Sequence, residues 1–212
     1  MTRPAALLLA LAFACLAAAR PPAGASVGGP EKDGLRIACE LPPSMHQKNT
    51  GGSDGAGLCV YASARHAGRL QNDPAFEGLF DWMRKRPGGS YPSKFKRTLE
   101  EFCKERGLAV PPYVQVESND LEVLRLACRT GRMPGVTYSF SPTGRYGGQR
   151  IAHMVSLVHA DEKWFVILDN NFVGEHAYEW LSPAEFARTY AGRSRGWSVI
   201  LLTPPAPPKL KD

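Results

Sequence analysis

The chain has 212 residues, of which 43% are hydrophobic and 22% are charged. These proportions are those of an ordinary globular protein, and they exclude an intrinsically disordered, collagen-like or disulfide-saturated chain. The formal charge is +6, but the basic residues are spread along the chain and do not form one patch interleaved with aromatic side chains. We therefore expect no nucleic-acid partner.

The first 25 residues have the features of an export signal. Arg3 is followed by an uncharged run, Ala5 to Ala19, and small residues with Ala-x-Ala cleavage sites ending at Ala19 and Ala25. A membrane anchor is the alternative, but the run falls short of the roughly 20 apolar residues that span a bilayer. Lipidation of Cys15 is a second alternative, with a poor local motif. We therefore predict a signal peptide at 1–25 and a secreted or periplasmic mature protein of charge +4 without stable membrane insertion.

Three segments follow the signal. Residues 26–40 are expected to form a low-complexity lead, and residues 41–203 a single domain. Residues 204–212 are rich in proline, which cannot donate backbone hydrogen bonds, and are expected to form an extended tail.

Helices dominate the first half of the predicted domain. A glycine-rich loop at 51–57 precedes a helix at 58–70, and further helices are predicted at 75–85, 92–106 and 120–129. Pro92 suits a first helical turn, Gly107 a helix end and Asn119 the cap of the fourth helix.

Strands dominate the second half. Runs of β-branched and aromatic residues predict strands at 136–140, 154–158, 164–168 and 197–202, with an edge strand at 113–116. The polar link 160–163 predicts a hairpin, and Ser182 is expected to cap a late helix at 182–190. Helices followed by strands indicate an α+β fold, with a helical half packed on an antiparallel sheet.

Four cysteines remain after signal removal: Cys39, Cys59, Cys103 and Cys128. An even number in an exported protein favours two disulfides. Cys103 and Cys128 lie on separate predicted helices of one lobe and are a candidate pair, which would leave Cys39 single.

Cys59 stands at the predicted start of a helix, directly after the glycine-rich loop. The unpaired N–H groups and positive end of a helix favour a thiolate there, and the same amides can bind the oxyanion of an acyl-transfer intermediate. A buried structural thiol is the alternative interpretation. His153 begins one strand of the predicted hairpin and Asp169 follows the other, so the two can be neighbours. A carboxylate that orients a histidine leaves the second ring nitrogen free to take a thiol proton.

The order of these residues resembles that of the papain-like cysteine peptidase superfamily: Cys59 opens a helix after Gly57-Leu58, and His153 and then Asp169 follow. The resemblance is closest to the bacterial Cys-His-Asp branch, which includes the double-glycine leader peptidases. The resemblance covers about residues 47–197. It implies a papain-like fold with the active cleft between a helical lobe and a sheet lobe.

The resemblance also implies roles for single residues. Cys59 would be the nucleophile of an exported peptidase or amidase, His153 the general base and acid, and Asp169 the orienting residue. Asn170 and Asn171 are rivals for the orienting role, and strand alternation puts Asn171 on the face of Asp169. Gln47 would donate to the oxyanion, although it lies 12 residues before the cysteine, about twice the family spacing. Asn49, Ser53 or backbone amides are the alternative donors.

Other functions fit the sequence less well. One alternative is a papain-like domain without catalysis that binds a peptide or wall component. The other is a transglutaminase-like acyltransferase, although that family has a far shorter spacing between its cysteine and histidine. The expected partner is a peptide or protein substrate, including cell-wall peptide. We expect no metal or cofactor, because no Cys-x-x-Cys or His-x-x-x-His cluster occurs. The remaining histidines are assigned to surface or packing: His46, His66, His159 and His176.

Overall fold

The computed structural model describes residues 24–192 and 194–205. The predicted signal, with Cys15, and the end of the predicted tail lie almost wholly outside these residues. Among the residues described, no helix is both long and apolar enough to cross a membrane. The described chain forms a mixed α+β fold built on a seven-stranded antiparallel sheet.

The helices begin and end where local chemistry requires. The α-helices are α1 (Cys59–Gln71), α2 (Pro74–Met83), α3 (Pro92–Arg106), α4 (Glu122–Arg129) and α5 (Pro183–Ala191), with a 3₁₀ turn at Pro43–Met45. The Asp73 side chain accepts hydrogen bonds from two amides at the start of α2, Gly107 ends α3 at φ 65°, and Ser182 and Glu185 form a capping box at α5. These positions agree with the sequence-based helices to within two residues. The predicted cap of α4 does not agree. Asp120, and not Asn119, accepts a hydrogen bond from the Glu122 amide, while the Asn119 side chain is hydrogen-bonded to the Ser194 carbonyl and the Gly196 amide.

The strands run from the N-terminal segment to the end of the fold. They are β1 (Ser26–Gly28), β2 (Glu31–Lys32), β3 (Leu35–Arg36), β4 (Tyr113–Glu117), β5 (Gly135–Tyr138), β6 (His153–Ala160), β7 (Phe165–Leu168), β8 (Tyr178–Leu181) and β9 (Trp197–Leu201). The large sheet has the order β1-β8-β7-β6-β5-β9-β4, and β2 pairs with β3 separately. All eight residues of β6 are buried, which fits its central place in the sheet.

Helices cover both faces of the sheet. Helices α1, α2 and α3 pack together against residues of β6 and β9, including Met154 and Val199. Helices α4 and α5 pack on the other face, against side chains such as Val155 and Leu157. Neighbours in β6 therefore serve opposite cores, as strand alternation requires.

The N-terminal segment 26–40 is part of this fold. The folded domain therefore begins earlier than the boundary that the sequence predicted at residue 41. Strand β1 pairs with β8 at the edge of the large sheet. Ile37 and Cys39 are buried with Trp164 and Trp180 in a third cluster. Composition indicated low complexity here, but the backbone hydrogen bonds of an edge strand do not need an apolar sequence.

The candidate pair of Cys103 and Cys128 does not form a disulfide in the structure. Cys103 packs among the helices α1, α2 and α3, whereas Cys128 lies in the core on the opposite face of the sheet. All four described cysteines are free thiols, and only Cys59 is not fully buried.

Candidate active site

A tightly held loop places Cys59 at the first position of α1. Gly51 and Gly57 form an isolated antiparallel bridge, and the Asp54 carboxylate accepts the amides of Ala56 and Gly88. A Cβ at Gly88 would lie 1.9 Å from the Ala56 carbonyl oxygen, so only glycine permits this approach. The sulfur of Cys59 therefore projects from a fixed helix start whose first amides lack intrahelical acceptors.

His153 and Asp169 are brought together by neighbouring strands. His153 is the first residue of β6, and Asp169 directly follows β7, which pairs with β6 through Ser156 and Leu168. The Nε2 atom of His153 lies 3.0 Å from Oδ1 of Asp169. Asp169 is fully buried and His153 is 8% exposed. The carboxylate thereby fixes the orientation of the ring and leaves Nδ1 as the other ring nitrogen.

The thiol of Cys59 lies beside the imidazole of His153, and both side chains line one cleft. Burial by itself raises the pKa of Cys59, but the hydrogen bond and charge of His153 and backbone hydrogen bonds from Met154 and Val60 bring it below its ordinary value. Burial likewise lowers the pKa of His153, yet Asp169 and Cys59 together raise it to about 9. A lowered thiol pKa beside a raised imidazole pKa favours a thiolate–imidazolium pair near neutral pH.

Asp169 is held in place by hydrogen bonds on both oxygens. The amide of Asn171 donates to Oδ1, and the hydroxyl of Tyr146 donates to Oδ2 at 2.7 Å. Burial opposes ionisation of Asp169, but His153 and these donors lower its pKa. The carboxylate is thus ionised, and each of its oxygens has a defined partner.

Tyr146 reaches the site from the loop between β5 and β6, which a buried carboxylate anchors. Oε2 of Glu179, on β8, accepts hydrogen bonds from Tyr138, Ser141 and Thr143. Glu179 is fully buried, and its Oε1 lies 3.7 Å from Nε of Arg145. Sequence reasoning missed Tyr146 and Glu179, because neither follows a periodic pattern; the only local signal is an aromatic residue among the glycines of 144–148.

The two asparagines after Asp169 have different positions. Asn170 is fully buried, and its side-chain nitrogen, Nδ2, donates to the Cys59 carbonyl, Ser63 Oγ and the Met154 carbonyl, which ties α1 to β6. It therefore does not orient His153, because its side chain points away from the face that Asp169 occupies. Asn171 lines the cleft and donates to the hydroxyl of Tyr146.

Gln47 is not in position to bind an oxyanion. Its side-chain nitrogen, Nε2, donates to the carbonyl of Lys48, and its backbone N–H donates to Nε2 of His66. The asparagine two residues later lies in the cleft instead: Oδ1 of Asn49 accepts the Leu58 amide, and Nδ2 donates to Asn171. The bridge between Gly51 and Gly57 returns Asn49, and not Gln47, to the start of α1.

His66 is a packing residue, as the sequence predicted, and not a second base. It is fully buried in α1, where Nδ1 lies 2.9 Å from Ser156 Oγ and Nε2 accepts the Gln47 amide. Burial lowers its pKa to about 3, so that the ring is neutral. In the described part of the chain, no group of three His, Cys, Asp or Glu side chains is arranged to hold a metal ion.

A cleft of about 610 Å³ opens over the Cys59–His153 pair. Its helical side includes Gly57, Gly89 and Ser90, and its sheet side is formed by residues of β5, β9 and the end of α5, among them Tyr138, Tyr190 and Trp197. A site of this size accommodates a few residues of an extended peptide or a small amide.

Comparison of the sequence with models of known protein families finds no match, and no curated protein matches it. Within the structure, Cys59 and His153 line the cleft, and the buried Asp169 carboxylate lies behind His153.

Proposed function

We propose that the protein is a cysteine-type peptidase or amidase that hydrolyses a peptide-type bond through Cys59, His153 and Asp169. One observation carries the proposal: the thiol of Cys59 and the imidazole of His153 lie side by side in an open cleft, and buried Asp169 lies 3.0 Å from Nε2 of His153. This is the nucleophile, base and orienting acid that covalent acyl transfer needs.

In the acylation step the Cys59 thiolate attacks the substrate carbonyl carbon and forms a C–S bond. The π electrons of the carbonyl move to its oxygen, which becomes an oxyanion. When the intermediate collapses, the C–N bond breaks and the His153 imidazolium gives its proton to the leaving amine. A thioester on Cys59 and a neutral imidazole remain.

The oxyanion needs preorganised donors close to Cys59. The amide of Cys59 is one candidate, because the first amides of a helix have no intrahelical acceptor. Asn49 is the second: its Nδ2 carries two hydrogens, of which one is used by Asn171. Asn49 would then fill the role that the resemblance gave to Gln47, and its bond to the Leu58 amide would hold it beside the helix start.

Deacylation reverses the proton movement. Neutral His153 takes a proton from water as the water oxygen attacks the thioester carbon, and the Cys59 thiolate leaves. Asp169 keeps its negative charge throughout and stabilises the imidazolium each time it forms.

The wider assignments are part of the same proposal. A helix that starts at Cys59 and packs on the strand that starts at His153 supports a papain-like fold, in which the cleft lies between helical and sheet parts. Export rests on the N-terminal sequence that follows Arg3. We propose an extracytoplasmic peptide or protein, including wall peptide, as the substrate.

A second candidate is a peptide-binding module of the same fold without catalysis. The observation that favours it is the position of Gln47, whose side chain is bonded to the Lys48 carbonyl. Such a module would bind peptide in the cleft and leave it uncleaved.

Assays with a library of peptide esters and amides that release a coloured leaving group distinguish the two candidate functions. We expect the wild type to hydrolyse at least one member, with an acyl adduct of Cys59 detectable by mass spectrometry after acid quenching. Cys59→Ala should lower kcat/KM at least about 10⁴-fold. Cys103→Ala, a matched loss of a buried thiol remote from the cleft, should retain activity. Hydrolysis that survives in Cys59→Ala would refute the proposal, and binding without turnover would support the module.

A further inference from the structure

Cys39 and Cys128 meet in a buried site remote from the cleft, where β6 runs past the start of β5. The amide of Cys39 donates to the Val158 carbonyl at 2.8 Å. Cys128 lies in the last turn of α4, with its sulfur 3.8 Å from the Leu157 carbonyl oxygen. Both cysteines, each 1% exposed, are thus fixed against adjacent residues of the same strand.

The side chain of Cys39 contacts Cys128. The sulfur of Cys39 lies 3.8 Å from the backbone oxygen of Cys128 and 3.2 Å from that of Arg132. Burial, together with the neighbouring Cys39 side chain, raises the pKa of Cys128 well above the usual range. The Cys128 thiol is therefore not suited to act as a nucleophile in the folded protein.

No other described thiol competes for either partner. Cys103 lies in the core formed by α1, α2 and α3, and Cys59 faces the cleft. The arrangement thus gives one pairing where sequence alone allowed several.

We infer that Cys39 and Cys128 form a disulfide in the exported protein. The inference rests on the proposed export, since disulfides persist in oxidising compartments. During folding, one cysteine thiolate attacks the S–S bond of a disulfide oxidant, forming a mixed disulfide and releasing one oxidant thiolate. The second cysteine thiolate then displaces the other oxidant sulfur. The two cysteines lose two electrons and two protons in total, and the oxidant becomes a dithiol or two thiols.

The bond would staple together segments that pack on opposite faces of the sheet. Cys39 belongs to the N-terminal segment, which is buried with Trp164 and Trp180, and Cys128 belongs to α4 on the other face. The partners are 89 residues apart, and closing so long a loop restricts the unfolded chain strongly. The N-terminal segment, which also carries Asn49 to the cleft, would gain most from this restraint.

Peptide mapping tests the bond directly. The full chain is refolded in a mixture of reduced and oxidised glutathione, alkylated under denaturing conditions without reductant and digested with trypsin. Cys39 and Cys128 fall in separate tryptic peptides, 37–48 and 126–129, while Cys59 and Cys103 fall in 49–65 and 98–104. We expect the first two peptides as one linked species, with the other two alkylated. Cys103→Ala should give the same linked species.

Thermal unfolding gives an independent readout. Reduction should lower the Tm of the wild type by about 10 °C, as expected for one disulfide in a domain of this size. The Cys39→Ala/Cys128→Ala variant should show no such response. Alkylation of both peptides in the refolded wild type, or a link that involves 98–104, would overturn the inference. Loss of peptide hydrolysis alone would not, because the mapping is independent of catalysis.

Discussion

The reactivity of Cys59 is the most direct test of the site. In an unperturbed cysteine of pKa about 8.5, only about 3% of the thiol is ionised at pH 7. The pKa of Cys59 lies below its ordinary value, and full ionisation would raise the thiolate population by up to about 30-fold. Since nucleophilicity falls as the pKa falls, we expect iodoacetamide to alkylate Cys59 about 10-fold faster than an exposed model thiol at pH 7.

The profile of alkylation rate against pH should show a plateau around neutrality and a second step near pH 9. The plateau requires His153 to be protonated, and its pKa of about 9 marks the pH above which the imidazolium is lost. The rise of that pKa from 6.5 corresponds to about 3 kcal/mol of stabilisation of the charged ring by Asp169 and Cys59. Hydrolysis, which needs the imidazolium as acid, should decline above the same pH.

Mass spectrometry of the tryptic peptide 49–65 measures the Cys59 rate, with the Cys103 peptide 98–104 as an internal standard for a buried thiol. In His153→Ala the plateau should disappear, and alkylation should rise only as an ordinary thiol ionises. A wild-type profile with a single ordinary thiol step, unchanged by His153→Ala, would refute the ion pair and with it the catalytic assignment.

Three further changes probe the surroundings of the pair. Tyr146→Phe removes a donor to Asp169 and should lower kcat about tenfold with KM unchanged. A tenfold rise in KM would indicate a substrate contact instead. Asn49→Ala should lower kcat about 10²-fold or more while Gln47→Ala leaves it unchanged, and the reverse order would restore Gln47 as oxyanion donor. Burial holds His66 neutral with a pKa of about 3, so its contribution to stability is present above pH 6.5 and is lost as pH falls toward 3, by up to about 5 kcal/mol. Circular dichroism should accordingly show a shallower acid dependence of stability in His66→Gln than in the wild type.

Local chemistry in the sequence was sufficient for most helices and strands. Proline at the first turn, Ser182 as a cap and Gly107 at a helix end act within a few residues, so their effects are readable without a fold. Strand β8 was not predicted, because its four residues follow an irregular loop. Strand β1 was missed because its pairing partner lies about 150 residues away.

For the site, the sequence determined which residue types could react: a cysteine at a helix start, a histidine at a strand start and an acid after the partner strand. Tertiary structure alone decided that Asn49 and not Gln47 lies in the cleft, that Tyr146 holds Asp169, and that Cys39 meets Cys128. The physical reason is range. Caps and strand patterns depend on neighbours along the chain, whereas these contacts depend on how loops without periodicity close around the sheet.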